Sequence, residues 1–162
     1  MNADPYVYSG TTVLKNKLGL TDPATLAAFE RRMVAQRAAE GIPSGNFDLA
    51  HLRAIHRHLF QDVYEWAGEV RTTELAKGSR QFMFQRFIER GVADVAKRIA
   101  VAAPYSGWPQ SAFADEAGRL IGDINYVHPF REGNGRTQLQ FLKQLAEFAG
   151  WLLDLREIEP AK

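Results

Sequence analysis

Residues 128 to 136 read His-Pro-Phe-Arg-Glu-Gly-Asn-Gly-Arg, which gathers one imidazole, one carboxylate, two guanidinium groups and a Gly-Asn-Gly turn into nine positions. His128, with an ordinary pKa near 6.5, is the side chain best matched to taking a proton at neutral pH. Glu132 supplies a single carboxylate, and one carboxylate with phosphate oxygens and water is a usual way of holding Mg²⁺. Gly133, Asn134 and Gly135 stand just before a strong helical pattern. The first-turn amides of a helix lack internal acceptors and lie at the positive end of its dipole, and glycine lets a phosphate approach them without a Cβ in the way. Arg136 adds a planar fork of donors for phosphate oxygens. A base for a hydroxyl, a divalent ion and an anion cradle are what attack on a nucleotide phosphorus requires.

Plainer readings attach to the same residues. Gly-Asn-Gly is also a common tight turn with a capping Asn. His128 and Glu132 have the spacing of two metal ligands on one helix face, but Pro129 disfavours a helix through them and no third ligand is evident. His51, His56 and His58 are expected on the solvated face of a helix, outside the chemistry.

Helices must position these groups. Asp22 as cap, Pro23 as first residue, the stripe Leu26, Phe29, Met33 and Val34, and Gly41 as terminator predict a first helix. Asp48 as cap, the stripe Leu49, Leu52, Ile55, Leu59 and Val63, and Gly68 as stop predict a second. Between Val70 and Phe84, β-branched and aromatic residues flank Lys77-Gly78-Ser79 and predict a short hairpin. Apolar spacing predicts helices over 86–102, 110–127 and 136–150, the last ending at Gly150. The expected fold class is all-α with one small β-hairpin.

Composition limits the rest. The 162 residues fit one domain, 1–162, and 46% hydrophobic with 24% charged residues is the balance of an ordinary globule rather than a disordered chain. A formal charge of +1 lacks the basic stripe of a nucleic-acid binder, so no direct nucleic-acid binding is expected. The absence of cysteine excludes disulfides, thiolate nucleophiles and Cys-ligated zinc. The N-terminus MNADPYVYSG has no signal pattern and no apolar run reaches the ~18 residues of a membrane span, so no membrane association and a cytoplasmic location are expected.

The stretch HPFREGNGR resembles the signature of the Fic family, His-x-Phe-x-Asp/Glu-Gly-Asn-Gly-Arg-x-x-Arg. YVYSGTTVLKNKLGLTD and HRHLFQDVYEWAGEVRT look like the family's N-terminal segment and the segment leading into its hairpin, so the resemblance runs from about Tyr6 to Leu155. It implies the Fic helical fold and transfer of AMP from ATP to a Ser, Thr or Tyr hydroxyl of a target protein, with pyrophosphate leaving. On matching positions it implies His128 as base, Glu132 as Mg²⁺ ligand, and Gly133 to Gly135 with Asn134 as phosphate cradle. Arg136 would bind the distal charge, and Phe130 would anchor the loop. It further implies a flap, Thr73 to Phe84, that docks an extended target segment by strand addition, with Lys77 and Gly78 near the nucleotide.

Two departures qualify this. The family's second arginine is Leu139 here, a loss worth roughly 1.5–3 kcal/mol of charge-assisted contact. The family's inhibitory motif, Ser/Thr-x-x-x-Glu-Gly/Asn, is also missing: Glu40-Gly41 and Glu132-Gly133 are preceded by Gln36 and His128 at the first position. Inhibition by a small antitoxin-like partner in trans is therefore expected, as in toxin–antitoxin members. A Doc-like kinase and a disabled copy acting as a binding module are the alternatives. The ending LREIEPAK stops earlier than many relatives, which suggests a missing C-terminal helix.

Overall fold

In the computed structural model, which describes residues 4–102 and 105–154, each early helix is started by an acidic cap. Asp22 Oδ2 accepts from the Thr25 amide at 2.8 Å and from the Thr25 hydroxyl at 2.6 Å, and α1 runs Pro23–Ala39. Gly41 follows in the left-handed region at φ 99°. Leu26 and Val34 are buried, while Phe29 and Met33 pack half-buried against the core. Asp48 Oδ1 likewise accepts from the His51 amide at 2.9 Å, starting α2, Leu49–Phe60.

α2 ends eight residues before the predicted stop at Gly68. Residues 61–68 form successive turns, in which the amides of Val63 and Tyr64 both bond the Phe60 carbonyl and that of Ala67 bonds Tyr64. The Val63 carbonyl accepts from the Lys17 amide at 2.8 Å, so a neighbouring segment takes an acceptor that a longer helix would use itself. The turns keep Phe60, Val63, Tyr64 and Ala67 pointing inward at helix-like intervals, which is why the pattern alone reads as helix.

The hairpin is a tip rather than a ribbon. β1, Ala76–Lys77, pairs antiparallel with β2, Arg80–Gln81, in the register Ala76↔Gln81 and Lys77↔Arg80, around Gly78 at φ 60°. Past the bond from the Phe82 amide to the Leu75 carbonyl at 3.1 Å the arms bond elsewhere: the Met83 amide donates to the Tyr126 carbonyl and the Arg71 amide to the Pro129 carbonyl. A short 3₁₀ turn, Gln85–Phe87, leads into α3, Ile88–Val101. α4, Gln110–Val127, and α5, Asn134–Phe148, complete an all-α architecture with a small hairpin. α5 begins two residues before the predicted Arg136, because Gly133 rather than Gly135 is the residue that turns into the helix. Gly150 follows α5 at φ 89°, as expected of its terminator.

α2 packs on α1 and α5, and α4 on α3 and α5, around a core that includes Leu52, Ile55, Leu59, Ile88, Leu120, Ile124 and Phe141. Two histidines correct the sequence reading. His51 and His56 are buried, not solvated, since they share the stripe of Leu52, Ile55, Leu59 and Phe60; His58 is half-buried, its Nε2 at 2.7 Å from the Arg37 carbonyl. Among the described residues no helix is long and apolar enough to cross a membrane. The ending LREIEPAK, residues 155–162, lies outside the described residues, which stop at 154.

Candidate active site in the loop between α4 and α5

The loop is made by a reversal. His128 caps α4 with left-handed dihedrals, φ 48° and ψ 64°, which turn Pro129 and Phe130 into the core and bring Glu132 to Arg136 back alongside. Phe130 is buried, and Asn134 closes the loop onto it: Asn134 Oδ1 accepts from the Phe130 amide at 2.9 Å and its Nδ2 donates to the Phe130 carbonyl at 2.7 Å. Both polar ends of the Asn134 side chain are thereby used inside the loop, which leaves its main-chain N–H without an acceptor among the described residues.

The two glycines have different reasons. Gly133 lies at φ 80°, and a Cβ on it would fall 2.3 Å from Phe60 Cζ, so no side chain fits. A Cβ on Gly135 would meet nothing within 4 Å. That glycine therefore borders open space at the start of α5, where the amides of Asn134, Gly135 and Arg136 have no acceptor among the described residues. The arrangement is suited to an anion with several oxygens.

His128 is oriented on two sides. Its Nδ1 lies 3.2 Å from the Asn125 carbonyl, an acceptor, so Nδ1 carries the proton and Nε2 keeps its lone pair. The Phe82 ring stacks on the imidazole at 3.8 Å and 12°. Burial first, and then the positive charges of Arg71 and Lys77, hold the imidazole pKa below its ordinary value against the opposing effect of the Asn125 bond. The neutral, proton-accepting form is thus the favoured one near pH 7. Lys77 acts on the loop through this charge, whereas Gly78 sits at the exposed hairpin tip, where an added Cβ would meet nothing within 4 Å.

Glu132 is exposed, and its Oε1 accepts from the Gly133 amide at 2.9 Å, which aims the carboxylate while leaving Oε2 free. A hard cation fits one such oxygen, and because no cluster of three His, Cys, Asp or Glu is gathered among the described residues, its remaining ligands would be substrate oxygens and water. Arg136 Nη2 pairs with Glu30 Oε1 at 2.6 Å, and its guanidinium lies over the Phe60 ring at 4.8 Å. Leu139 is half-buried on α5 and brings no donor.

Two residues that the sequence reading left out hold this loop. Arg71 is 2% exposed, and its guanidinium donates to the carbonyls of His128 at 2.7 Å, Thr73 at 2.6 Å and Met83 at 2.5 Å. It fastens both arms of the hairpin to the turn that carries His128. Nothing in the pattern around Arg71 marks a buried cation. His56 is fully buried; its Nδ1 accepts from the Gly68 amide at 2.8 Å, so Nε2 donates to the Glu132 carbonyl at 2.9 Å. Its ring stacks on Phe130 at 4.0 Å and on Phe60 at 4.7 Å. Desolvation, aided by the Arg136 charge, pushes its pKa down to about 4. The signal was available: His56 lies four residues after Leu52 and four before Phe60.

Known proteins share this framework. A Sinorhizobium fredii protein, y4lH, named as a probable protein adenylyltransferase, is 45% identical over 98% of this chain and 83% of its own length. The protein adenylyltransferase VbhT of Bartonella schoenbuchensis is 38% identical, and the chain spans only 33% of that longer relative. Among solved structures, BepC, a VirB-translocated effector of Bartonella tribocorum with bound AMPPNP, superposes with a TM-score of 0.85 at 30% identity, covering 95% of this chain and 82% of that one. The N-terminal Fic domain of a Bep effector of Bartonella quintana with bound ADP gives the same TM-score and identity over 95% of this chain and 80% of that one. The model of the Fic/DOC family matches residues 46–146, from the loop before α2 into the last turn of α5, and the chain belongs to that family.

Proposed function

We propose that the protein transfers AMP from ATP to a hydroxyl of a target protein and releases pyrophosphate. The observation that carries this reading is the meeting, in one loop, of an imidazole with a free Nε2 lone pair, an exposed carboxylate and three amides without acceptors among the described residues. The names of the relatives and the nucleotides bound to the structural neighbours support it.

In this mechanism Nε2 of His128 accepts the proton of a target Ser, Thr or Tyr as that oxygen bonds to the α-phosphorus. The bond from that phosphorus to the bridging oxygen of the β-phosphate breaks, and its electrons leave with pyrophosphate. The amides of Asn134, Gly135 and Arg136 bind phosphate oxygens, and the Arg136 guanidinium takes the distal charge. Glu132 would hold Mg²⁺, which when bound neutralises part of the triphosphate charge. The edge of the hairpin between Thr73 and Phe84 docks the target as an added strand. A small inhibitory partner in trans suits a chain without an inhibitory motif of its own, and ATP as co-substrate suits action in cytoplasm, of the producing cell or of one that receives the protein.

The test is incubation with cell lysate, Mg²⁺ and ATP labelled at either the α- or the γ-phosphate. Protein-bound label is expected from the α position alone, lost in His128→Ala and on chelation of the metal. Label from the γ position alone would replace this reading with a kinase, and no label from either would leave a binding module.

A further inference from the structure

Arg136 is held from outside its own loop as well as from within it. Glu30, on α1, places Oε1 at 2.6 Å from Arg136 Nη2, and the Glu132 carboxylate is at 3.7 Å from the same nitrogen. The Glu30 side chain is only 12% exposed. Its second oxygen accepts from the hydroxyl of Tyr64, which is itself buried and whose ionisation is pushed up, by burial first and then by the Glu30 bond, so that it stays a donor. The face of Phe60 lies beneath the guanidinium at 4.8 Å. Nε and Nη1 of Arg136 have no partner among the described residues, so one nitrogen is tethered and the others remain available. The next cation along α5 is Lys143, since Leu139 offers none. Glu30, Tyr64 and Glu132 also line a cavity of about 220 Å³ that opens beside the loop, floored by Val13 and Leu26.

We propose that Glu30, braced by Tyr64, is a positioning residue that fixes the Arg136 guanidinium over Phe60 so that its free nitrogens meet the distal phosphates of the nucleotide. The inference rests on the reading of Arg136 given above, and it adds a residue from outside the segment matched by the family model. An unconstrained arginine loses side-chain entropy on gripping a phosphate; one already tethered through Nη2 loses less. Burial and the Tyr64 bond keep Glu30 from swinging aside, which suits a tether and not a removable plug.

The experiment measures binding of the α,β-methylene analogue of ATP, whose scissile link cannot be cleaved, and of AMP, each with Mg²⁺. It compares the full chain with Glu30→Gln, Tyr64→Phe, Arg136→Ala and the Glu30→Gln/Arg136→Ala pair. Loss of the tether is expected to weaken the triphosphate analogue about tenfold in Glu30→Gln, and less in Tyr64→Phe. Binding of AMP, which has no distal phosphates, is expected to stay within about twofold, and Glu30→Gln is expected to add nothing once Arg136 is gone. An analogue bound equally or more tightly by Glu30→Gln, or an equal loss of AMP binding, overturns the proposal. Arg136→Ala that binds the analogue as the unaltered chain does overturns instead the underlying role of Arg136.

Discussion

Gly133 and Gly135 sit two positions apart and answer to different demands. Gly133→Ala drives a methyl into the Phe60 ring at a left-handed φ, and a loss of about 3 kcal/mol in unfolding free energy is expected. Gly135→Ala enters open space within α5, where alanine is the better helix former, so the melting temperature is expected to hold or rise while nucleotide binding falls. Thermal melts with and without nucleotide separate the two. His56 gives a second expectation. Its folded pKa, about 4, lies below the ordinary 6.5, so the unfolded chain binds the extra proton between those values. Its contribution is complete above pH 6.5 and is lost as pH falls toward 4, an effect of about 3 kcal/mol over the window. Denaturant titrations at several pH values should show that slope, and His56→Gln should flatten it.

The hairpin as an element depends on Arg71 more than on its own ladder, which pairs two residues on each side. Arg71→Met would leave the carbonyls of Thr73, Met83 and His128 without their donor. A loss of about 3 kcal/mol is expected, with amide exchange rising first at Phe82 and Met83 and only later in α3. The helices themselves were legible because caps and apolar spacing are local: Asp22 and Asp48 act as the sequence implies. The end of α2 was not, since a carbonyl claimed by Lys17 is a long-range event. The loop's composition pointed to an anion site, whereas the use of Asn134 for closing the loop, and of His56 and Arg71 for holding it, arises from packing between distant segments.

Across the molecule, segments outside the residues matched by the family model close around the loop. Asp4 pairs with Arg131 at 2.7 Å, the Tyr6 hydroxyl accepts from the Thr72 amide at 3.0 Å, and Glu30 reaches Arg136. Burial first, and then the positive charges of Arg71 and Lys77, lower the His128 pKa, so the acid limb of activity is expected below pH 6.5. Lys77→Met is expected to move that limb upward in a pH–rate profile. The left-handed cap at the end of α4 has a consequence for how such a protein evolves. Histidine visits that conformation more readily than most residues, yet glycine takes it without penalty. His128→Gly should therefore be more resistant to heat than His128→Ala by about 1 kcal/mol, both being silent in label transfer. Drift toward glycine at this position would relieve the backbone but forfeit the Phe82 stack and the Asn125 bond together with the imidazole's chemistry.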